Sequence, residues 1–233
     1  MSQYYQNVLE LLKEIHDTQA EAIEQAAAAV AKSIKDSGLV HTFGSGHSAA
    51  IAYEAHGRAG GFAAVHAIID PLRGLSEKVE GYGRALMAPV RLSPKDTMII
   101  ISNSGRNALP VEIAMIAKEQ GLPVIAITSL AHSKSVTSRH SSGKRLFELA
   151  DVVLDNHGGP GDAAVSLPGF DVPLGPTSTI TGAFIINEIM ISAAEWLLEN
   201  GMEPPIFKSA NLDGSKEHNA RLRDRYNAPL RNW

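Results

Sequence analysis

The first 38 residues carry apolar side chains that recur every three or four positions, with charged residues between them. The recurring positions are Val8, Leu11, Leu12, Ile15, Ala22, Ile23, Ala26 and Val30. Such spacing places apolar side chains on one face of an α-helix, and Gly38 is suited to ending it. One helix of about 30 residues would be about 45 Å long, so part of its apolar face would need a partner subunit. Two shorter helices packed on the same core satisfy the pattern equally well.

Beyond residue 38, short apolar runs alternate with longer amphipathic segments. The apolar runs predict strands over Leu39–Phe43, Ala64–Ile69, Thr97–Ser102, Pro123–Thr128 and Asp151–Leu154. The amphipathic segments predict helices from Ser48 to about Gly60 and over Ala108–Gln120 and Thr177–Asn200. Because the strands are almost continuously apolar, both faces of their sheet must be covered. We therefore predict an α/β fold: a doubly wound, mostly parallel, flavodoxin-like sheet between two helical layers.

Three segments interrupt this alternation and set the predicted organisation. Residues 71–94 and 156–176 are rich in glycine and proline and predict loops, and the tail from Gly201 is polar. We expect an N-terminal helical segment at residues 1–36, packed on the core or on a partner subunit. A ligand-binding domain follows at residues 37–200, and residues 201–233 form a C-terminal extension.

Composition excludes several classes of function. The 233 residues include no cysteine, which rules out disulfides, thiolate metal sites, iron–sulfur clusters and a cysteine nucleophile. Lys and Arg number 21 against 25 Asp and Glu, a net charge of −4, so we expect neither nucleic-acid binding nor attachment to an anionic membrane. No apolar run approaches the length of a membrane span, and the first residues do not resemble a signal peptide. We expect a cytoplasmic protein.

Three segments rich in hydrogen-bond donors each follow a predicted strand or loop and open a helix. Their donor and glycine positions are Gly44, Ser45, Gly46, His47 and Ser48, then Ser102, Asn103, Ser104, Gly105 and Asn107, then Thr177, Ser178 and Thr179. Free N–H groups at a helix N-terminus suit a phosphate group, and glycine lets the backbone approach it closely. Loops at neighbouring strand ends could surround one phosphoryl group. The alternative is ordinary helix capping by serine and asparagine.

A further loop and the histidines add polar candidates. Residues 155–163 place Asn, His and Asp among three glycines, and we expect His157 and Asp162 to contact the ligand; an exposed turn is the alternative. The sequence lacks GxxxxGK[ST], and GSGHSA lacks the third glycine of a dinucleotide fingerprint, so no nucleotide cofactor is predicted. The nine histidines show no ligand spacing, and no metal is predicted.

The order of these motifs resembles a known family. GSGHS, then ISNSGRNALPVEIAMIAKEQGLPVIAITS, then LFELADVVLD is similar to the sugar isomerase (SIS) domain over roughly residues 5 to 200. The layout resembles the single-domain phosphoheptose isomerases, and the tail resembles a separate branch of the family. The resemblance implies that serines and threonines of the three segments bind the phosphate of a phosphorylated sugar. It also implies a homodimer or homotetramer.

The resemblance further implies aldose–ketose isomerisation through an enediol, without a cofactor. This reaction needs a base that moves a proton between C1 and C2, and an acid at the sugar oxygens. Family isomerases use glutamate and histidine, and the candidates here are Glu54, His56, Glu188 and His218. Glu54 and Glu188 could instead form structural ion pairs, and His218 could lie in a solvated tail. A non-catalytic phosphosugar sensor acting through a protein partner, and a phosphosugar lyase or etherase, are the alternative functions.

Overall fold

The computed structural model describes residues 2–227 of the chain. Two helices open it, α1 at Gln3–Thr18 and α2 at Ala20–Lys35. Gln19 separates them because its backbone, at φ −107° and ψ 6°, leaves the helical conformation. The predicted apolar face therefore extends along a helical N-terminal segment that Gln19 divides into two helices. Within α2 it is deeply buried, whereas α1 buries Ile15 fully and leaves other apolar side chains at the surface.

Five parallel strands form the central sheet in the order β2-β1-β3-β4-β5. They are β1 at Val40–Gly44, β2 at Val65–Ile68, β3 at Thr97–Ile101, β4 at Val124–Thr128 and β5 at Val152–Asp155. Every residue of β1, β3 and β4 is buried, as their continuous apolar sequence predicts. The predicted parallel α/β sheet is confirmed, and each strand lies within one or two residues of its predicted bounds.

Helices cover both faces of the sheet in a pattern set by the two-residue period of the strands. Ile99, Ile101 and Ile125 point toward α2, α3 at Ala49–Glu54 and α7 at Ser178–Glu199. Met98 and Ile100 point the other way, toward α4 at Tyr82–Met87 and α5 at Ala108–Glu119. The short helix α6 occupies Leu130–Ser135. The result is the predicted three-layer arrangement.

The helix α7 is long and apolar enough to cross a membrane by length and composition. In this fold, however, it packs along α2 and buries Ile185, Ile186 and Ile189 in the core. The apolar sequence of α7 is therefore used in packing within the folded domain.

Two segments predicted as loops contain regular structure, and the first of them, residues 71–94, includes α4. Residues 156–176 contain a β-hairpin, β6 at Ala163–Leu167 and β7 at Phe170–Pro176. Pro168 and Gly169, with Gly169 at φ +76°, form its turn, so residues that indicated a loop instead reverse the chain. The polar tail contains α8 at Ser215–Asn227, and Ile206 pairs with Phe62 just before β2.

Candidate functional site

Because all five strands are parallel, the segments that follow them emerge at one edge of the sheet. The segment after β1 forms a 3₁₀ turn at Gly46–Ser48 and leads into α3. A side chain at Gly44 would meet the Ser48 carbonyl oxygen at 2.3 Å, so only glycine allows this turn. A cavity of about 630 Å³ lies beside it. Its lining includes Gly44, Gly46, His47, Ala49, Tyr53, Ile68, Asp70 and Arg73.

The segment after β3 forms the second predicted donor group and leads into α5. The Gly105 N–H donates to Ser102 Oγ at 3.2 Å, and the buried Asn107 stands at the N-cap of α5. Ser104 is half-buried. Within residues 2–227 the hydroxyls of Ser48 and Ser104 bond no other protein group, so both are available to a ligand.

A loop at the start of the predicted irregular segment 71–94 connects these two donor segments, a position that the sequence did not predict. We call Asp70–Gly81 the bridging loop. The buried Asp70 carboxylate holds it by accepting from Leu72 N at 2.9 Å and Gly74 N at 2.7 Å. The same carboxylate accepts from Tyr82 Oη at 2.7 Å, which raises the pKa of Tyr82 to about 12.

The bridging loop lies directly on the first segment. A Cβ atom at Gly74 would come within 3.0 Å of Gly46 N and 3.2 Å of Ser45 Oγ. Gly74 also adopts φ +88°, a conformation that favours glycine. Its neighbour Arg73 adopts φ +52° and lines the cavity. Positive φ is uncommon outside glycine and marks a residue that its surroundings hold in place.

Glu77 of the bridging loop stands between the two donor segments. Its carboxylate accepts from Ser45 Oγ at 3.2 Å and from Asn107 Nδ2 at 2.8 Å. Its main-chain oxygen accepts from Leu109 N, at the start of α5, at 3.0 Å. Sequence reasoning missed Glu77 because it lies outside any motif, in a segment whose composition indicates only a loop.

The third donor segment is occupied by an internal carboxylate. Asp162 accepts from Thr177 N at 3.2 Å and from Ser178 N at 2.8 Å, and both hydroxyls also donate to it. Thr179 is exposed. Asp162 was predicted to contact the ligand, but in the structure it neutralises the N-terminus of α7. That helix packs beside α3 at Gly182, where the neighbouring Ile51 leaves no room for a side chain.

The loop after β5 is tied to the second segment and to α1. Asn156 Nδ2 donates to Asn103 Oδ1 at 2.6 Å. His157, at φ +53°, contacts α1: its Nε2 lies 2.9 Å from Thr18 Oγ1 and its Nδ1 lies 3.3 Å from Glu14 Oε1. The ring of His157 is held by α1, and its contact with a ligand stays a prediction.

The four predicted acid/base residues are not brought together at this edge. Glu54 forms an ion pair with Arg58 at the far end of α3. His56 Nδ1 lies 2.8 Å from the Val65 carbonyl oxygen at the start of β2, which is the opposite edge of the sheet.

Glu188 and His218 also lie away from the cavity of their own chain. Glu188 is ten residues into α7, about 15 Å from its start, and is partly exposed rather than buried. His218 Nε2 lies 2.9 Å from the Ile206 carbonyl oxygen, beside the strand-start edge of β2. The catalytic roles of all four residues remain predictions.

The charged groups at this edge do not form a metal site. Within residues 2–227, no three His, Asp or Glu side chains are grouped so as to hold a metal ion. His47 and Arg73 line the cavity and are exposed. Farther along the edge, burial and the Arg106 guanidinium lower the pKa of His132. The lining of the cavity therefore includes the backbone of Gly46 and His47 and the Arg73 guanidinium, and Ser48 lies in the adjoining turn, a donor set that suits an oxyanion.

Comparisons with known proteins agree with this architecture. The family model described as SIS domain matches residues 3–129. A UPF0309 protein of Listeria monocytogenes is 43% identical over 223 residues, covering 96% of this chain and 95% of that protein. Among solved structures, a phosphoheptose isomerase from Francisella tularensis has a TM-score of 0.59 at 16% identity, covering 82% of this chain and 95% of that one. The sugar isomerase domain of an RpiR transcription factor from Sphaerobacter thermophilus has a TM-score of 0.50 at 20% identity, covering 99% and 97%.

Proposed function

The chain belongs to the SIS domain family, and on that premise we propose that it binds a phosphorylated sugar in the cavity beside Gly46–Ser48. The observation that carries the proposal is the donor set of that cavity. Its volume of about 630 Å³ suits a ligand of sugar size. The donors at the start of α7 are occupied by Asp162, so the phosphate is placed at the first segment instead.

In this proposal the phosphate lies against the backbone N–H groups of Gly46 and His47. The Ser48 hydroxyl and the Arg73 guanidinium, both at the same edge, supply further donors. Arginine recognises a phosphate through two parallel hydrogen bonds, which fixes orientation as well as charge. Ser104, whose hydroxyl has no protein partner in the described chain, is proposed to contact the sugar or its phosphate.

We further propose that the bound sugar undergoes aldose–ketose isomerisation. Holding the remote phosphate fixes C1 and C2 against the base, which is catalysis by positioning. The similarity to a phosphoheptose isomerase supports this reaction.

A non-catalytic phosphosugar sensor is the second candidate, favoured by the similarity to an RpiR transcription factor over nearly the whole chain. The charge of a phosphorylated sugar retains it inside the cell, which supports a cytoplasmic location.

A thermal-shift screen tests the binding proposal. The panel contains pentose, hexose, heptose and amino-sugar phosphates, each beside its unphosphorylated sugar and inorganic phosphate. A ligand that binds only the native state raises the melting temperature by mass action. We expect at least one phosphorylated sugar to stabilise the protein while its parent sugar does not. Equal shifts for every phosphorylated and parent sugar would contradict the proposal.

We also propose that the protein forms a homo-oligomer through α1, the β6–β7 hairpin and α7. Of the fifteen large apolar residues that are exposed in the described chain, nine belong to these elements. They are Tyr5, Leu9, Leu167, Phe170, Val172, Leu174, Ile180, Ile191 and Leu198. Their exposed surface is on the order of 800 Å², about what one partner contributes to a standard interface.

Two features of this surface favour a second copy of the chain. Along α7, the stripe Ile180, Phe184, Asn187, Ile191, Ala194 and Leu198 alternates spacings of four and three, as in helices that pack side by side. The hairpin has only two strands, which are marginally stable in water without a covering surface. Tyr4 Oη joins α1 to the hairpin by donating to the Pro176 carbonyl oxygen at 2.8 Å.

A further inference from the structure

Glu77 makes contacts that the proposed binding function does not use. Its two carboxylate oxygens bond two different donor segments, Oε2 with Ser45 and Oε1 with Asn107. Ser45 lies between Gly44 and Gly46, which both line the cavity. A carboxylate has about four lone-pair positions, so the two bonds leave capacity for a proton. Glu77 is half-buried, so part of its side chain is exposed.

Other carboxylates of the protein show how a structural carboxylate is used in this fold. Asp70 accepts from the backbone N–H groups of Leu72 and Gly74, Glu112 accepts from those of Gly81 and Gly83, and Asp162 accepts from those of Thr177 and Ser178. Each of the three satisfies backbone N–H groups that the fold would otherwise leave without a partner.

The Glu77 carboxylate differs from all three. Within residues 2–227 it accepts from side chains and from no backbone N–H group, and it forms no ion pair. The main-chain oxygen of Glu77 anchors the loop to α5, because it accepts from Leu109 N at 3.0 Å. The side chain is therefore oriented without being needed to anchor the loop.

The orientation of the carboxylate is itself supported. Arg139 Nη1 donates to Asn107 Oδ1 at 2.8 Å. This bond fixes which end of the Asn107 amide faces Glu77, so that Nδ2 is the donor. A base whose partners are themselves held in place keeps its reactive geometry.

From these contacts we propose that Glu77 is the general base of the proposed isomerisation, and this inference rests on that function. With the sugar in its open-chain aldose form, a Glu77 oxygen takes the proton from C2. The C2–H electron pair becomes the C1=C2 bond of the enediol, and O1 gains a proton from water. Glu77 then returns its proton to C1 while O2 loses one to water and becomes the ketose carbonyl oxygen. No oxidant or reductant is consumed.

The first test is Glu77→Gln, which keeps the shape of the side chain and removes the base. General-base catalysis contributes about 10²- to 10⁴-fold, so we expect kcat to fall by that range while Kd for the phosphosugar changes less than about threefold. Exchange of the C2 hydrogen with deuterated solvent, measured on the best ligand of the screen, should fall in parallel. Glu80→Gln is the matched control: it removes a carboxylate of the same loop that accepts from Ser141, and it should leave kcat unchanged.

The second test is Glu77→Ala, which retains the main-chain bond to α5 and creates space for a small carboxylate. Added formate should restore C2 exchange in this variant, a response that a structural role would not give. Absence of rescue together with wild-type kcat in Glu77→Gln would overturn the inference. So would a wild-type protein that binds phosphosugars but exchanges no C2 hydrogen, a result that leaves the binding proposal intact. If the wild type binds no phosphosugar, the proposed function fails first and this inference fails with it.

Discussion

At the scale of single residues, the donors that the sequence assigns to phosphate fall into two groups. Ser45, Asn107, Thr177 and Ser178 already bond the carboxylates of Glu77 and Asp162. The hydroxyls of Ser48, Ser104 and Thr179 have no protein partner in the described chain. A motif indicates donor type and place along the chain, but it cannot indicate which internal carboxylate folds back onto those donors.

The Ser48→Ala, Ser104→Ala double variant tests this division. Each hydroxyl lost from a charged ligand costs about 1.5–3 kcal/mol, so affinity for the phosphosugar should fall at least tenfold. The affinity for the unphosphorylated sugar should change much less. Titration calorimetry measures both, with Ser135→Ala, an exposed serine of α6, as the control. Equal losses of affinity for the two sugars would show that these hydroxyls do not bind the phosphate.

At the scale of secondary-structure elements, the sheet was predictable and the connections were not. The run Thr97–Ile101 is β-branched or apolar at every position, and burial on both sides leaves such a run few alternatives. The hairpin after residue 162 was missed because Pro168 and Gly169 indicate a turn without indicating what the turn joins. The position of the bridging loop depends on contacts between residues about 30 apart, such as Ser45 with Glu77.

The bridging loop can be tested with two glycine variants. Gly74 and Gly81 have nearly equal φ angles, +88° and +87°, so alanine is strained at both. Only Gly74 would place its new Cβ against Gly46 and Ser45; at Gly81 nothing lies within 4 Å. Both variants should lose about 1 kcal/mol of unfolding free energy, but only Gly74→Ala should also weaken phosphosugar binding. Unfolding by urea and a binding titration measure these effects. Equal phosphosugar affinity in both variants would show that the contact of Gly74 with Gly46 and Ser45 does not affect binding.

A buried pair at the opposite edge of the sheet gives a pH prediction. Burial raises the pKa of Asp96, but bonds from His41, Leu39 N and Ser93 N outweigh it and bring the pKa below its usual value. The stability that Asp96 contributes is therefore present above about pH 3.9, its unfolded value, and is lost as pH falls further.

The measurement is the unfolding free energy of the wild type and of Asp96→Asn between pH 5 and pH 3. We expect a shallower fall with acidification in the variant, because its amide does not titrate. Asp171→Asn, which replaces an exposed carboxylate of the hairpin, should retain the wild-type slope. Identical slopes for the wild type and Asp96→Asn would show that the protonation of Asp96 is not coupled to folding.

At the scale of the whole molecule, the distribution of exposed apolar residues decides the assembly prediction. Leu198 in the α7 stripe and Leu212 in the tail are both 61% exposed, so they are matched sites. Leu198→Glu should reduce the mass measured by light scattering toward the 24.9 kDa of one chain, because it places a charge within the proposed interface. Leu212→Glu should leave the mass unchanged. An oligomer that survives Leu198→Glu, or a monomeric wild type, would contradict the proposal.

The central claim of ligand binding at the strand-end cavity is tested most directly by amide NMR of the whole protein during titration with the best phosphosugar. We expect the resonances of Gly46, His47, Ser48 and Gly74 to shift in a saturable way, while those of α8 stay in place. Saturable shifts confined to another region, or none at the first segment, would contradict the account.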